Sequence, residues 1–393
     1  MGSYRESHPW ITFKVGNLNE LGALTWLRLG EANAICKALI GTPLPPDLAE
    51  GFYGLALDKG AHATTAIEGN RLTEPQVAGI RAGTYEAPPS QEYQQIEVEN
   101  VINAFAYIDV LLIEEDPTPE ITREQICNLN LMLLSGTEHD ADAVPGQVRD
   151  HSVVVADYRG APPRDCEYLL DQLACWLESP DFRSDNPEVA FAFTVLCAIY
   201  AHLYIAWIHP FGDGNGRTAR LLEFLILARS GAVPLLAAHL LSNHYNETRD
   251  RYYRELSIAS RSQDAHGFVR YAVEGFVVEL RGQLAQVHEA HFDRLWRDFV
   301  NEVLDRRAAT KARERQRTLV LTMPKDRALR IDELQTELDN ELARQYLERA
   351  PITIVRDLKA LEACGLVRRS GSEWGTNKDV LRAYSPPVAG GDS

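Results

Sequence analysis

His209-Pro210-Phe211-Gly212-Asp213-Gly214-Asn215-Gly216-Arg217-Thr218-Ala219-Arg220 is the stretch on which the reading of this chain turns. An apolar segment, 195–208, runs into it, and a second, Leu221-Leu222-Glu223-Phe224-Leu225-Ile226-Leu227, runs out of it. The layout predicts helix, tight loop, helix, because Pro210 and closely spaced glycines do not fit a helix interior. Gly214 and Gly216 stand where the second helix begins. The first N–H groups of a helix have no intrahelical partner and carry the positive end of its dipole, so this terminus suits a phosphate. Arg217 and Arg220 are three apart and share a helix face beside it. Asp213 offers carboxylate oxygen to a hard cation such as magnesium. His209 has an ordinary pKa near neutrality and can accept a proton. Positioning and charge stabilisation are most of what phosphoryl transfer asks of a protein. A glycine-rich loop alone is usually a turn, and a single histidine beside it is usually structural. A packing loop has no need of a base, an acid, an amide, glycines and two arginines within one short run.

The run resembles the Fic family motif, His-x-Phe-x-Asp/Glu-Gly-Asn-Gly-Arg-x-x-Arg, at every fixed position, with Gly212 at a variable one. Fic proteins are mostly helical and usually transfer AMP from ATP to a hydroxyl of a target protein. The resemblance implies that His209 is the general base and that Asp213 binds the magnesium of the nucleotide. Gly214, Asn215 and Gly216 would form the anion pocket. Arg217 and Arg220 would hold the phosphate tail, with Arg220 on the γ-phosphate. The resemblance covers about residues 5–295.

A chain of 393 residues suggests two or three domains and ample core. The net charge of −16 argues against coating nucleic acid or anionic membrane by charge alone. Six scattered cysteines without a Cys-x-x-Cys read mostly as buried free thiols. The polar N-terminus lacks a signal-peptide pattern, and no apolar run reads as long enough to span a bilayer. The expectation is a cytoplasmic protein with no membrane partner.

Residues 1–110 read as an all-helical N-terminal region. Apolar spacing predicts a helix over 21–39 and another over 48–66, capped by Asp47. The second ends at Thr64-Thr65-Ala66-Ile67-Glu68-Gly69-Asn70, where Gly69 and Asn70 suit a helix C-terminus. Alone, Glu68 reads as a solvated glutamate. The segment, however, resembles the inhibitory motif Ser/Thr-x-x-x-Glu-Gly/Asn of Fic proteins, with Thr64, Glu68 and Gly69 on its fixed positions. The resemblance implies that Glu68 pairs with Arg220 and takes the place of a γ-phosphate.

Residues 111–300 would form the catalytic domain. Helices are predicted over 91–113, with Asp116-Pro117 ending it, and from a Thr122 cap to 133. Val153, Val154, Val155 and Ala156, between turn formers, predict a hairpin over 153–162. Fic proteins resemble this too: a hairpin flap pairs with the target segment by strand addition. Further helices are predicted over 166–177, 187–205, 249–259 and 269–295. Aromatics on a helix are more often core than ligand wall. In Fic proteins the first tyrosine of a similar Tyr-Tyr lines the adenine pocket, which implies that role for Tyr252.

Residues 310–317 read as a solvated linker helix. In 317–393, helices over 331–338 and 353–364 precede strands expected at 366–369 and 379–384, around a turn at 371–375. This resembles a winged helix-turn-helix, with Arg356, Lys359, Arg368 and Arg369 placed for DNA phosphates. DNA and a protein partner stay equally open for it, as does a homodimer for the chain. The sequence thus predicts a mainly α protein, a Fic-type helical bundle with a β-hairpin flap, plus a C-terminal winged helix-turn-helix. The expected activity is auto-inhibited transfer of AMP from ATP, with Mg2+, to Tyr, Thr or Ser hydroxyls of target proteins and of itself. The alternatives are another nucleotide or phosphodiester donor, or a nucleotide-sensing transcription regulator.

Overall fold

Helix Pro187–Ile208 is apolar on every side, and its surroundings explain why. Asn186 caps it by accepting from the Glu188 N–H at 3.0 Å, and Pro187 opens its first turn. At 22 residues it is long and apolar enough to cross a bilayer, contrary to the sequence expectation, and 72% of its apolar stretch is covered by protein. It packs along helix Asn215–Arg229, itself buried over most of its length, and the quoted loop joins the two. The helix–loop–helix reading therefore holds.

The computed structural model describes residues 3–115, 118–137, 142–155, 158–306, 310–324, 327–338, 340–350 and 352–382. They divide into two compact units, Met1–Gln286 and Val287–Ser393. In the first, helices Ala23–Gly41, Pro46–Ala66, Glu92–Val110, Arg123–Leu134 and Pro163–Leu177 enclose the central pair. Asp47 does not cap Pro46–Ala66. Pro46 already occupies the first helical position, so Asp47 sits inside the first turn. Thr122 does cap its helix, accepting from the Gln125 N–H at 3.2 Å. Helix Glu92–Val110 runs on as a π turn to Glu115, and its expected stop at Asp116-Pro117 lies outside the described residues. The hairpin forms between Val154–Val155 and Tyr158–Arg159, with Val154 opposite Arg159. Ala156 and Asp157 lie outside the described residues.

In the second unit, helices Lys311–Thr322, Ile331–Glu337, Asn340–Leu347 and Ile352–Ala363 share a core with Trp296, Val300 and Trp374. Ile354, Leu358 and Leu361 face it, as their spacing predicts. Two expectations need correction. The helix containing 310–317 is not a solvated linker: Arg315 is 4% exposed and donates to Asp357 at 2.7 Å. The second strand is Glu373–Thr376, not 379–384. Gly371, at φ +60, turns the chain so tightly that Ser370 pairs with Glu373, and residues Lys378–Arg382 form a 3-10 turn instead.

Candidate active site

His209 ends its helix in the left-handed conformation, φ 51° and ψ 59°. For a residue with a Cβ this costs about 1–2 kcal/mol, so the surroundings must hold it. Its own N–H still bonds to Ile205 O at 2.8 Å. Its carbonyl accepts from Arg149 Nε at 2.6 Å, while Arg149 also donates to His151 O (2.5 Å) and Ala161 O (2.6 Å). The Arg149 N–H donates to Pro210 O at 2.9 Å. A buried guanidinium is at home here because carbonyls at a helix C-terminus carry the negative end of the dipole. Gly160 makes the approach feasible: a Cβ there would lie 2.9 Å from both Arg149 Nη2 and His209 Cβ. Arg149 thereby fastens the base of the hairpin to the loop. One His209 ring nitrogen is hydrogen-bonded to the Ala206 main chain. Burial, and then the Arg149 charge, push the imidazole down to about 4, so it is neutral at pH 7.

The loop is braced from within. Asn215 is 3% exposed. Its side chain accepts from the Phe211 N–H and donates to Phe211 O, each at 2.9 Å. Its amide thus holds the loop shape, and Asn215 is among the residues that line the cavity described below. Asn130, fully buried, donates to Asp213 O at 3.0 Å and accepts from the Gly146 N–H at 3.0 Å. Gly214, at φ +75, turns the chain into the second helix. Asp213 accepts from its neighbour Gly214 N–H at 2.5 Å. Arg217 lies between Asp213 and Glu97, 3.3 Å from each.

Glu68 and Arg220, 152 residues apart in sequence, meet: Arg220 Nη2 donates to Glu68 Oε1 at 2.5 Å and to Thr64 O at 3.0 Å. Burial alone would raise the Glu68 carboxyl, but the charges of Arg220, Arg217 and Arg249 and the Arg220 hydrogen bond hold it below its ordinary value. Arg220 is 1% exposed, yet its Nε and Nη1 have no partner among the described residues; nor has Arg217 Nε. Buried donors of this kind are costly unless something completes them. A Cβ on Gly216 would collide with Glu68 Oε1 and lie 3.2 Å from Arg220 Nη1, so that glycine leaves room for an oxygen anion. Gly69, at φ +102, closes the turn after Glu68, and Tyr253 donates to Ile67 O at 3.0 Å.

A cavity of about 300 Å³ is bounded by Glu68, Val153, Val154, His209 and residues 212–216. Tyr252 is not brought to it. That ring is buried, its hydroxyl 3.0 Å from His202 Nε2, and it stacks on Tyr245. Asn130 is the residue that sequence reasoning missed, and Arg149 stood there only within Gly146-Gln147-Val148-Arg149, a run that also resembles the family, with no role assigned. The available signal for Asn130 was a polar amide set between Leu129 and Leu131 on an apolar-periodic helix. Among the described residues no group of three or more His, Cys, Asp or Glu could cage a metal. A single carboxylate, Asp213, fits an ion held mainly by phosphates and water.

Residues 120–227 match the family model described as Fic/DOC family. A protein adenylyltransferase fic-1 of Caenorhabditis briggsae is 33% identical over 54% of this chain and 38% of its own length. A protein adenylyltransferase Fic of Nematostella vectensis is 31% identical over 53% of this chain and 44% of its own. The chain thus spans less than half the length of these curated relatives. Among solved structures, a Fic family protein from Desulfovibrio desulfuricans G20 superposes with a TM-score of 0.55 at 19% identity, over 90% of this chain and 95% of that one. Fic-1 from C. elegans gives 0.55 at 24% identity, over 74% of this chain and 87% of that one. The fold is shared across these proteins, and residues 120–227 of this chain carry a Fic/DOC family domain.

Proposed function

We propose that this protein is an auto-inhibited adenylyltransferase that moves AMP from ATP to Tyr, Thr or Ser hydroxyls of target proteins and of itself. One observation carries the reading: His209, Glu68 and the helix start at Gly214 line a single cavity, and the unpartnered Nη1 of Arg220 lies beside Gly216 at its edge. The relatives' name, protein adenylyltransferase, supports ATP as the donor. The triphosphate lies along 214–216 with its γ-phosphate toward Arg220. Neutral His209 takes the proton of the incoming hydroxyl on a ring nitrogen. The oxygen attacks the α-phosphorus, the bond to the β-phosphate oxygen breaks, and pyrophosphate leaves. Asp213 would hold the nucleotide's magnesium, which when bound neutralises phosphate charge. The exposed edge at Val153 and Val154 offers main-chain pairing to a target segment.

Glu68 occupies the position that the γ-phosphate needs, so the resting protein is inhibited. With labelled ATP and magnesium, Glu68→Gly should raise auto-modification roughly 5- to 150-fold, the span of one regulatory coupling. Adding Arg220→Ala should cancel the gain. Equal label on wild type and Glu68→Gly would remove the inhibitory role of Glu68. An absence of label from both would remove ATP as donor.

For residues 317–393 we propose a winged helix-turn-helix that takes DNA through helix Ile352–Ala363. The support is that Arg356 and Lys359 are exposed and pair with no acid among the described residues.

A further inference from the structure

The turn that carries Glu68 is held from a second side. Asn70, two residues on, is 9% exposed and its side chain is fully engaged. Its Nδ2 donates to Gln94 O and to Glu97 Oε2, both at 2.9 Å, and its Oδ1 accepts from the Leu72 N–H at 3.0 Å. Gln94 Oε1 accepts from the Arg71 N–H at 2.9 Å. Glu97 faces both ways: its other oxygen, Oε1, lies 3.3 Å from Arg217 Nη1. One turn therefore engages both arginines of the loop, Arg220 through Glu68 and Arg217 through Asn70 and Glu97.

We infer that Asn70 and Glu97 form a latch that couples the anion site at Arg217 to the seating of Glu68. The inference rests on the inhibitory reading of Glu68 given above. Arg217 is held loosely, at 3.3 Å from each of two carboxylates, with Nε unpartnered. A phosphate at the helix start offers it a stronger charge-assisted bond. Glu97 then loses the cation that compensates its partial burial and turns toward water, which frees Asn70. An anion arriving at Arg217 thus weakens the hold on its own competitor, and Glu68 weakens the anion site by the same factor, because coupling is reciprocal. Asn70 and Glu97 act here as positioning residues.

The test uses the full chain. Asn70→Ala should raise auto-modification with labelled ATP about fivefold, the shift expected from losing one or two net hydrogen bonds, and should add nothing on a Glu68→Gly background. Amide hydrogen exchange over 67–72 gives a readout independent of activity: faster in Asn70→Ala, and faster in wild type when a non-hydrolysable ATP analogue is added. Glu97→Gln keeps an acceptor for Asn70 but drops the ion pair, so its exchange should stay slow and no longer respond to the analogue. An equal gain on both backgrounds, or wild-type exchange indifferent to the analogue, would overturn the latch. A Glu68→Gly protein no more active than wild type, with exchange still responding to the analogue, would instead remove the inhibitory reading and leave the latch standing.

Discussion

His209 is held in a costly backbone conformation by Arg149, and its imidazole is neutral far below the usual histidine range. His209→Ala should leave ATP binding nearly intact, since other groups build the phosphate site, while transfer falls about 10²–10⁴-fold, the usual share of a general base. Transfer by the Glu68→Gly protein should stay level from pH 8 to about 5.5, without a step near 6.5, because the base protonates only at about 4. Loss of half the rate at pH 6.5 would show that His209 titrates normally there or is not the base. The loop was legible in the sequence because its chemistry is local: base, acid, glycines and arginines follow one another within His209–Arg220. Asn130 and Arg149 were not, since their partners are main-chain groups of loops that only folding brings near. Tyr252 went the other way: the bland reading of an aromatic on a helix, core, is where the structure puts it.

At the level of elements, long apolar-periodic helices were legible, and short polar ones were not. Glu74–Arg81, Leu240–Glu247 and Asn340–Leu347 passed unread. Thr73 and Gln76 form a capping box at the first of these, a signal that was present in the sequence. Helix Ile352–Ala363 shows why the adjoining basic segment was misread. Its Asp357, 1% exposed, accepts from Arg315 Nε (2.7 Å), Gln316 Nε2 (3.0 Å) and the Tyr346 hydroxyl (3.1 Å). Alternating basic residues look solvated until one of them finds a buried carboxylate. Asp357→Ala should destabilise the second unit by about 3–5 kcal/mol, because Arg315 stays buried without a counter-charge. Thermal unfolding of wild type and variant would read this. An unshifted transition would mean that Arg315 escapes to water at little cost.

On the scale of the whole molecule, the acidity of the chain is unevenly spread. The excess of Asp and Glu lies within residues 1–286, while 287–393 hold nearly equal numbers of acidic and basic residues. The net charge of −16 therefore says little about what the second unit binds. Arg356→Glu with Lys359→Glu should abolish retention of labelled duplex DNA and leave AMP transfer unchanged. Wild-type retention should fall steeply with salt as phosphate contacts release counterions. Wild-type protein that ignores DNA at low salt would favour a protein partner for this unit.

Gly216 carries a consequence for how such a protein can change over generations. The volume above its Cα is the one that the Glu68 oxygen fills, and in the proposed reaction the nucleotide must enter the same place. Any side chain there evicts inhibitor and substrate together. The loop therefore offers no easy mutational escape from restraint at this position. Heritable loss of restraint has to arise in the upstream turn, where Glu68 can be lost without narrowing the space that the chemistry uses.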